Sequence, residues 1–297
     1  MGRIKEFFKV PSDETINYIR DNSIKISLIC SSIRPNLWMR AYESLSNNYV
    51  DFEMICCGDV RPSFSLPDNL IYIYSEVKPS QCFEIARRRA AGDFVMMTGD
   101  DLLYNKYFLD NMVEAFLKEN NSRVIVSAVC GGARDNKQFV SKKRGKYYRY
   151  WGAKEMSAAQ VDPLSIPEFA LGAFSTKSLY DEMEGFDKNF VGLMAEADFV
   201  MRVRGLGGVV AFSEFSLFFE EKAVPRLSQG EYGLKSSKDV LNSMWCQKYR
   251  GEEIDSDKFY EGVVNGLLIS KQRLIPFEPY VDNNIALESQ GPKGKWK

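Results

Sequence analysis

The feature that most constrains this chain is its alternation of short, β-branched apolar runs with stretches of helical periodicity. Residues 24–30 (IKISLIC), 52–57 (FEMICC), 70–74 (LIYIY), 94–97 (FVMM), 124–129 (VIVSAV) and 209–219 read as strands. Between them lie helical patterns: Leu37, Trp38, Ala41 and Leu45 share one face, residues 80–91 form a helix that Gly92 ends, and 106–118 repeat apolar residues at helical spacing. Arg34-Pro35-Asn36 opens the first of these, with proline near the start, where its missing N–H is tolerated. Strands alternating with helices predict an α/β fold, a mainly parallel sheet of Rossmann-like type covered on both faces. The expected division is a leader over 1–22, one main domain over 23–222, and a C-terminal extension over 223–297 with helical patterns near 237–249 and 259–270.

Composition excludes several functions. The chain has 39 basic and 40 acidic residues, a formal charge of -1, so no global field gathers nucleic acid or an anionic membrane. No apolar run is long enough to span a bilayer and the first residues are too charged for a signal peptide, so a cytoplasmic protein without a transmembrane segment is expected. Six cysteines form no CxxC pair, which favours buried reduced thiols over a zinc site. There is no histidine. Every imidazole-based triad and every imidazole metal ligand is thereby removed, and chemistry falls to carboxylates, hydroxyls, thiols, Lys, Arg and Tyr.

In open α/β sheets ligands bind at the carboxyl ends of the strands. Three acidic groups fall at or near such ends: Asp59, the pair Asp100-Asp101 following FVMM-Thr98-Gly99, and Glu196 with Asp198. Adjacent acids at a strand end repel each other unless a cation or solvent compensates, and oxygen ligands suit Mg²⁺ or Mn²⁺. The plainer alternative is that Asp100-Asp101 caps the helix that follows.

Several stretches in order resemble the family 2-like glycosyltransferases of the GT-A fold. They are ISLICSSIRP, FEMICCGD, ARRRAAGDFVMMTGDDLL, and GAFSTKSLYDEMEGFDKNF followed by AEADFVMRV. The likeness covers about two thirds of the chain, Ile24 to about Phe219. It implies a nucleoside-diphosphate sugar as donor, UDP being the first candidate, and a glycan or other hydroxyl as acceptor. Asp59 would bond the base or ribose, and Ser31, Ser32, Arg34, Arg87 and Gly99 would line the donor pocket. Asp100 corresponds to the metal-binding acid of the DxD motif, with Asp101 beside it and Thr98 where the first acid stands. Relatives also use a histidine after the last strand as a metal ligand; Glu220 or Glu221 is the substitute candidate here. The general base falls on Glu196 by position in the ED motif, whose first acid is Ala195, and Asp198 remains the alternative.

The implied mechanism is a divalent cation neutralising the departing diphosphate while a carboxylate deprotonates the acceptor, with inversion at the anomeric centre. Three successive arginines, Arg87 to Arg89, face different directions on a helix, so a solvated face competes with phosphate binding. The basic, aromatic run 142–151 reads as a sugar or acceptor lid or as a plain loop, Asp187 as a turn or cap residue, and Asp198 as a possible partner of Arg202. Two rival functions stand beside the transferase. A nucleotidyltransferase would carry a GxGTR-like loop, which SSIRPNLW lacks; a catalytically impaired glycan- or nucleotide-binding homologue gains weight from Thr98 and Ala195.

Overall fold

The computed structural model describes residues 8–76, 79–131, 170, 172–188, 195–220 and 277–280. The elements run α1 (Asp13–Asp21), β1 (Lys25–Ser31), a 3₁₀ turn (Pro35–Leu37), α2 (Trp38–Ser44), β2 (Asp51–Gly58), β3 (Leu70–Tyr74), α3 (Pro79–Arg89), β4 (Phe94–Thr98), β5 (Leu102–Tyr104), α4 (Phe108–Leu117), β6 (Val124–Gly131), β7 (Ser175–Thr176), α5 (Lys177–Glu182), α6 (Ala195–Gly205) and β8 (Val209–Glu220). Parallel strands in the order β3-β2-β1-β4 make the main sheet, and β7 closes it antiparallel to β4. A second sheet has the order β5-β8-β6, with β6 and β8 parallel and β5 antiparallel to β8. Val126 and Phe174 pair across the gap between the sheets, so residues 174–176 join them.

The strands are apolar on both sides because both sides are covered. Along β1, Ile26, Leu28 and Cys30 enter the core under α2 and α4, while Ile29 enters the core under α3, α5 and α6. On β4, Phe94 and Met96 face the first core, and Val95 and Met97 the second. This is the mixed α/β architecture that the alternation predicts. Burying each large apolar side chain contributes roughly 1.5–3 kcal/mol. Cys30, Cys56, Cys57 and Cys82 are buried free thiols, as expected.

Two strands escaped the sequence reading. β5 and β7 have three and two residues, too short for any period to register. β5 lies between Asp101 and α4, so the acids lead into a strand and not into a helix. α4 begins after Tyr107, a left-handed residue with φ 60° and no capping side chain. Asn48 Oδ1 accepts the Leu109 amide at 2.8 Å instead. The helix-cap reading of Asp100-Asp101 therefore fails.

α1, within the expected leader, starts on Ser12, whose hydroxyl accepts the Thr15 amide at 3.2 Å, and it packs beside α4, where Glu114 accepts the Ser12 amide at 2.9 Å. Of the expected extension, residues 277–280 lie on the main fold. Pro279 pairs with Asp187, Arg88 donates to the Tyr280 carbonyl at 2.7 Å, and Tyr280 enters the core beside α3 and α6. The run 142–151, expected as a lid or a plain loop, and the helical patterns at 237–249 and 259–270 lie outside the described residues.

Candidate functional site at the sheet switch point

After β1 the chain moves outward through β2 to β3, then crosses back to add β4 on the other side of β1. The connections leaving β1 and β4 thus diverge, and a crevice opens between their carboxyl ends, where α/β sheets bind ligands. Ser32 and Arg34 follow β1, and Gly99, Asp100 and Asp101 follow β4. Asp59 follows β2, the next strand along. The structure brings these residues to one edge.

The link across the crevice is direct. The Ser32 hydroxyl, buried, donates to Asp100 Oδ2. It accepts from Trp38 Nε1 at 2.7 Å and from the Arg34 amide at 3.1 Å. Ser32 is held in turn by its own amide on the Cys57 carbonyl, 2.9 Å away on β2. Gly58 is needed beside it, since a Cβ there would sit 1.8 Å from the Ser32 carbonyl oxygen. The Ser31 hydroxyl is buried and takes no part in this hydrogen-bonded cluster.

Arg34 closes the cluster. Its Nε reaches Asp100 Oδ2 at 3.1 Å, its Nη2 bonds Asp100 Oδ1, and the same Nη2 lies 3.1 Å from Asp101 Oδ2. Burial pushes the Asp100 carboxyl above its ordinary range, with Arg34 and Ser32 pulling the other way. Thr98, at the position of the motif's first acid, is buried and bonds the Tyr104 phenol on β5. An acid there would be buried against that ring, which accounts for the threonine.

The acids do not fit a divalent ion as they are arranged. Mg²⁺ and Mn²⁺ need carboxylate oxygens turned to one point with room for water and phosphate. Here one guanidinium is forked on Asp100 and touches Asp101. Among the described residues no group of three or more Cys, Asp or Glu side chains is placed to hold a metal. Glu220 is paired through its backbone with Leu102, the residue after Asp101; its side chain, like all of Glu221, lies outside the described residues.

Glu196 lies in the first turn of α6, whose carboxyl end turns into β8 beside Arg123 at the opposite edge of the sheet. The start of α6 therefore lies toward the crevice edge. The Met97 amide on β4 donates to Gly172 at 2.7 Å, and the Tyr180 hydroxyl donates to the neighbouring Ala173 carbonyl at 2.6 Å. Burial raises the Tyr180 phenol most, and the nearby Glu196 charge adds to that rise. Burial raises the Glu196 carboxyl above its usual range. Asp198 sits differently. It is fully buried, Arg202 Nε donates to it at 3.0 Å, and the guanidinium also holds the Met183 and Gly185 carbonyls, each at 2.6 Å. Asp198 orients Arg202, which stacks 4.3 Å from the Phe277 ring centroid.

Arg87 does not join the site. It lies in the last turn of α3, near the amino edge of the sheet, with Nε and Nη2 on Glu84 at 2.8 and 2.7 Å and Nη1 on Asp181 at 2.5 Å. Arg88 shares Glu84, and only Arg89 of the three is exposed. Trp38 and Tyr104 are the site-supporting residues that sequence reasoning missed. Trp38 reads as part of an apolar helix face, Tyr104 carries no reading, and nothing local marks their polar atoms as partners of Ser32 and Thr98.

No protein-family model and no curated protein matches this sequence. Among solved structures the chain is similar to S. aureus TarS 1-349, at 14% identity and TM-score 0.47, over 66% of this chain and 60% of that one. It is also similar to S. aureus TarS 1-349 in complex with UDP, at 14% identity and TM-score 0.49, over 83% and 80%. Against the longer S. aureus TarS chain the values are 13% and 0.48, over 66% of this chain and 36% of that one. The chain thus spans less than two thirds of two of these TarS chains, 60% of the 1-349 chain without UDP and 36% of the longer one. These likenesses are too distant to transfer a function.

Proposed function

We propose that this chain is a GT-A-type glycosyltransferase that moves a sugar from a nucleoside-diphosphate donor to an acceptor hydroxyl. The observation that carries the reading is the joining of Ser32 and Arg34 to Asp100 across the switch point of a parallel sheet, one strand from Asp59. Donors of this class present a ribose with hydroxyls suited to a carboxylate and a diphosphate suited to a cation. In this reading Asp59 takes the nucleoside end and Arg34 the diphosphate. Glu196 removes the acceptor proton as the oxygen attacks the anomeric carbon, a contribution of roughly 10²–10⁴-fold. Attack from the face opposite the diphosphate inverts that carbon.

Melting the protein with UDP, GDP, CDP and ADP tests the donor site. One of them at about 100 times its Kd should add roughly 2.7 kcal/mol of stability. A protein that none of them stabilises does not have this function. Assayed with the matching nucleotide sugars, the protein should release free nucleotide slowly without acceptor. The rival reading, a nucleotide-binding protein without turnover, draws on Ala195 and on the engagement of Asp198 by Arg202. It gives binding and no release.

A further inference from the structure

We propose that Arg34 is the resident cation of this site, bridging the Asp100-Asp101 pair to the donor diphosphate in the position a divalent ion would otherwise take. The proposal rests on reading the crevice as the donor site, and its test separates the two. A divalent ion in such a site does two things. It compensates two strand-end carboxylates, and it offers positive charge to phosphate oxygens. Arg34 already does the first, forked on Asp100 and within 3.1 Å of Asp101 through one shared nitrogen. A guanidinium can also do the second, because its planar set of five N–H donors matches carboxylate and phosphate alike.

The local fold fixes the arginine for that role. The Arg34 amide is bound to the Ser32 hydroxyl at 3.1 Å, and Pro35 next to it starts the 3₁₀ turn, so the backbone leaves β1 in one direction. The side chain is 21% exposed, against 3% for Asp100 and 14% for Asp101, so the guanidinium is the most open part of the cluster. A dication added here would meet a positive charge already in contact with both acids. Removing the arginine would leave two adjacent carboxylates uncompensated, the arrangement that hard cations seek.

The test uses wild type, Arg34→Gln and Arg34→Lys, with UDP and inorganic pyrophosphate as probes by calorimetry, in EDTA and in Mn²⁺. Free Mn²⁺ is followed separately by electron paramagnetic resonance. Wild type should bind UDP equally in EDTA and in Mn²⁺ and take up little Mn²⁺ alone. Arg34→Gln should lose at least about tenfold in UDP affinity in EDTA, the loss of a charged hydrogen bond. It should also gain Mn²⁺ uptake, and Mn²⁺ should restore its UDP binding. Arg34→Lys, which keeps the charge without the fork, should fall between. Wild-type UDP binding that vanishes in EDTA overturns the proposal, as does an Arg34→Gln protein that binds UDP in EDTA as well as wild type. If no variant binds either probe, the donor-site reading fails by itself. The Mn²⁺ signal then still decides the arginine: uptake by wild type equal to that of Arg34→Gln overturns its role.

Discussion

Ser32 Oγ and Asp100 Oδ2 are hydrogen-bonded across the crevice between β1 and β4, and the same hydroxyl accepts the indole N–H of Trp38 at 2.7 Å. One oxygen therefore serves both the site and the core. Ser32→Ala should leave a fully buried donor unmatched, at a cost of about 1–3 kcal/mol. Chemical denaturation should register that loss, and a UDP titration should show weaker binding in the same variant. Unchanged stability would mean that Trp38 finds another acceptor.

Gly58 makes a sharper steric prediction. A methyl group there would lie 1.8 Å from a backbone oxygen that cannot rotate away. Gly58→Ala should destabilise by at least ~1–3 kcal/mol, the usual cost of overpacking, and push Ser32 away from Asp100. Urea midpoints together with nucleotide affinity measure both effects.

Glu196 and Asp198, two positions apart on α6, should separate cleanly. Glu196→Gln should lower turnover by about 10²–10⁴-fold with stability and UDP affinity nearly intact. Because burial raises the Glu196 carboxyl, wild-type turnover should fall with decreasing pH from a point above the ordinary carboxylate range. Asp198→Asn should instead cost stability, on the order of 3–5 kcal/mol, since it leaves the buried Arg202 charge uncompensated. Turnover and melting curves of the two variants would decide the assignment, and a thermally normal but inactive Asp198→Asn would reverse it.

Asp110 gives a pH signature away from the site. Burial pushes its carboxyl up to about 6, although the Tyr49 and Val50 amides, at 2.9 Å each, favour the charged form. A raised acid holds its proton more tightly folded than unfolded. Its contribution to stability is therefore full below the ordinary value near 4 and is lost as pH rises toward 6. Glu114 acts oppositely. Burial opposes it, yet Lys118, Lys9 and the Ser12 amide hold it down to about 2, so its contribution is lost as pH falls. The wild-type profile mixes the two, and the difference between wild type and Asp110→Asn isolates the first. That difference should change by roughly 2–3 kcal/mol between about pH 4 and 6, at 1.36 kcal/mol per pKa unit. A flat difference curve would refute it.

The main sheet was legible because each strand is apolar on both faces and each is followed by a turn that ends it. Asp100 was legible for the same reason, as the first acid after a fully buried run. Arg34 was named as a pocket residue, but its hold on Asp100 spans 66 residues and leaves no local trace. Arg87 was misread in direction: helical spacing says that three arginines diverge, not that Glu84 and Asp181 wait for one of them. The pairing of Asp198 with Arg202 is an i,i+4 contact and could be weighed from sequence alone. β5 and β7 depend on partners far along the chain, which no short window contains.

The return of residues 277–280 sets an order on synthesis. Arg88 meets its carbonyl partner 192 residues later, and Tyr280 fills a slot beside α3 and α6 that every shorter nascent chain leaves open. A ribosome adds about 5–20 residues per second, so that slot stays uncovered for many seconds after α3 has emerged. The core on the face of the sheet that carries α6 is thus completed by a residue made long after the strands it covers.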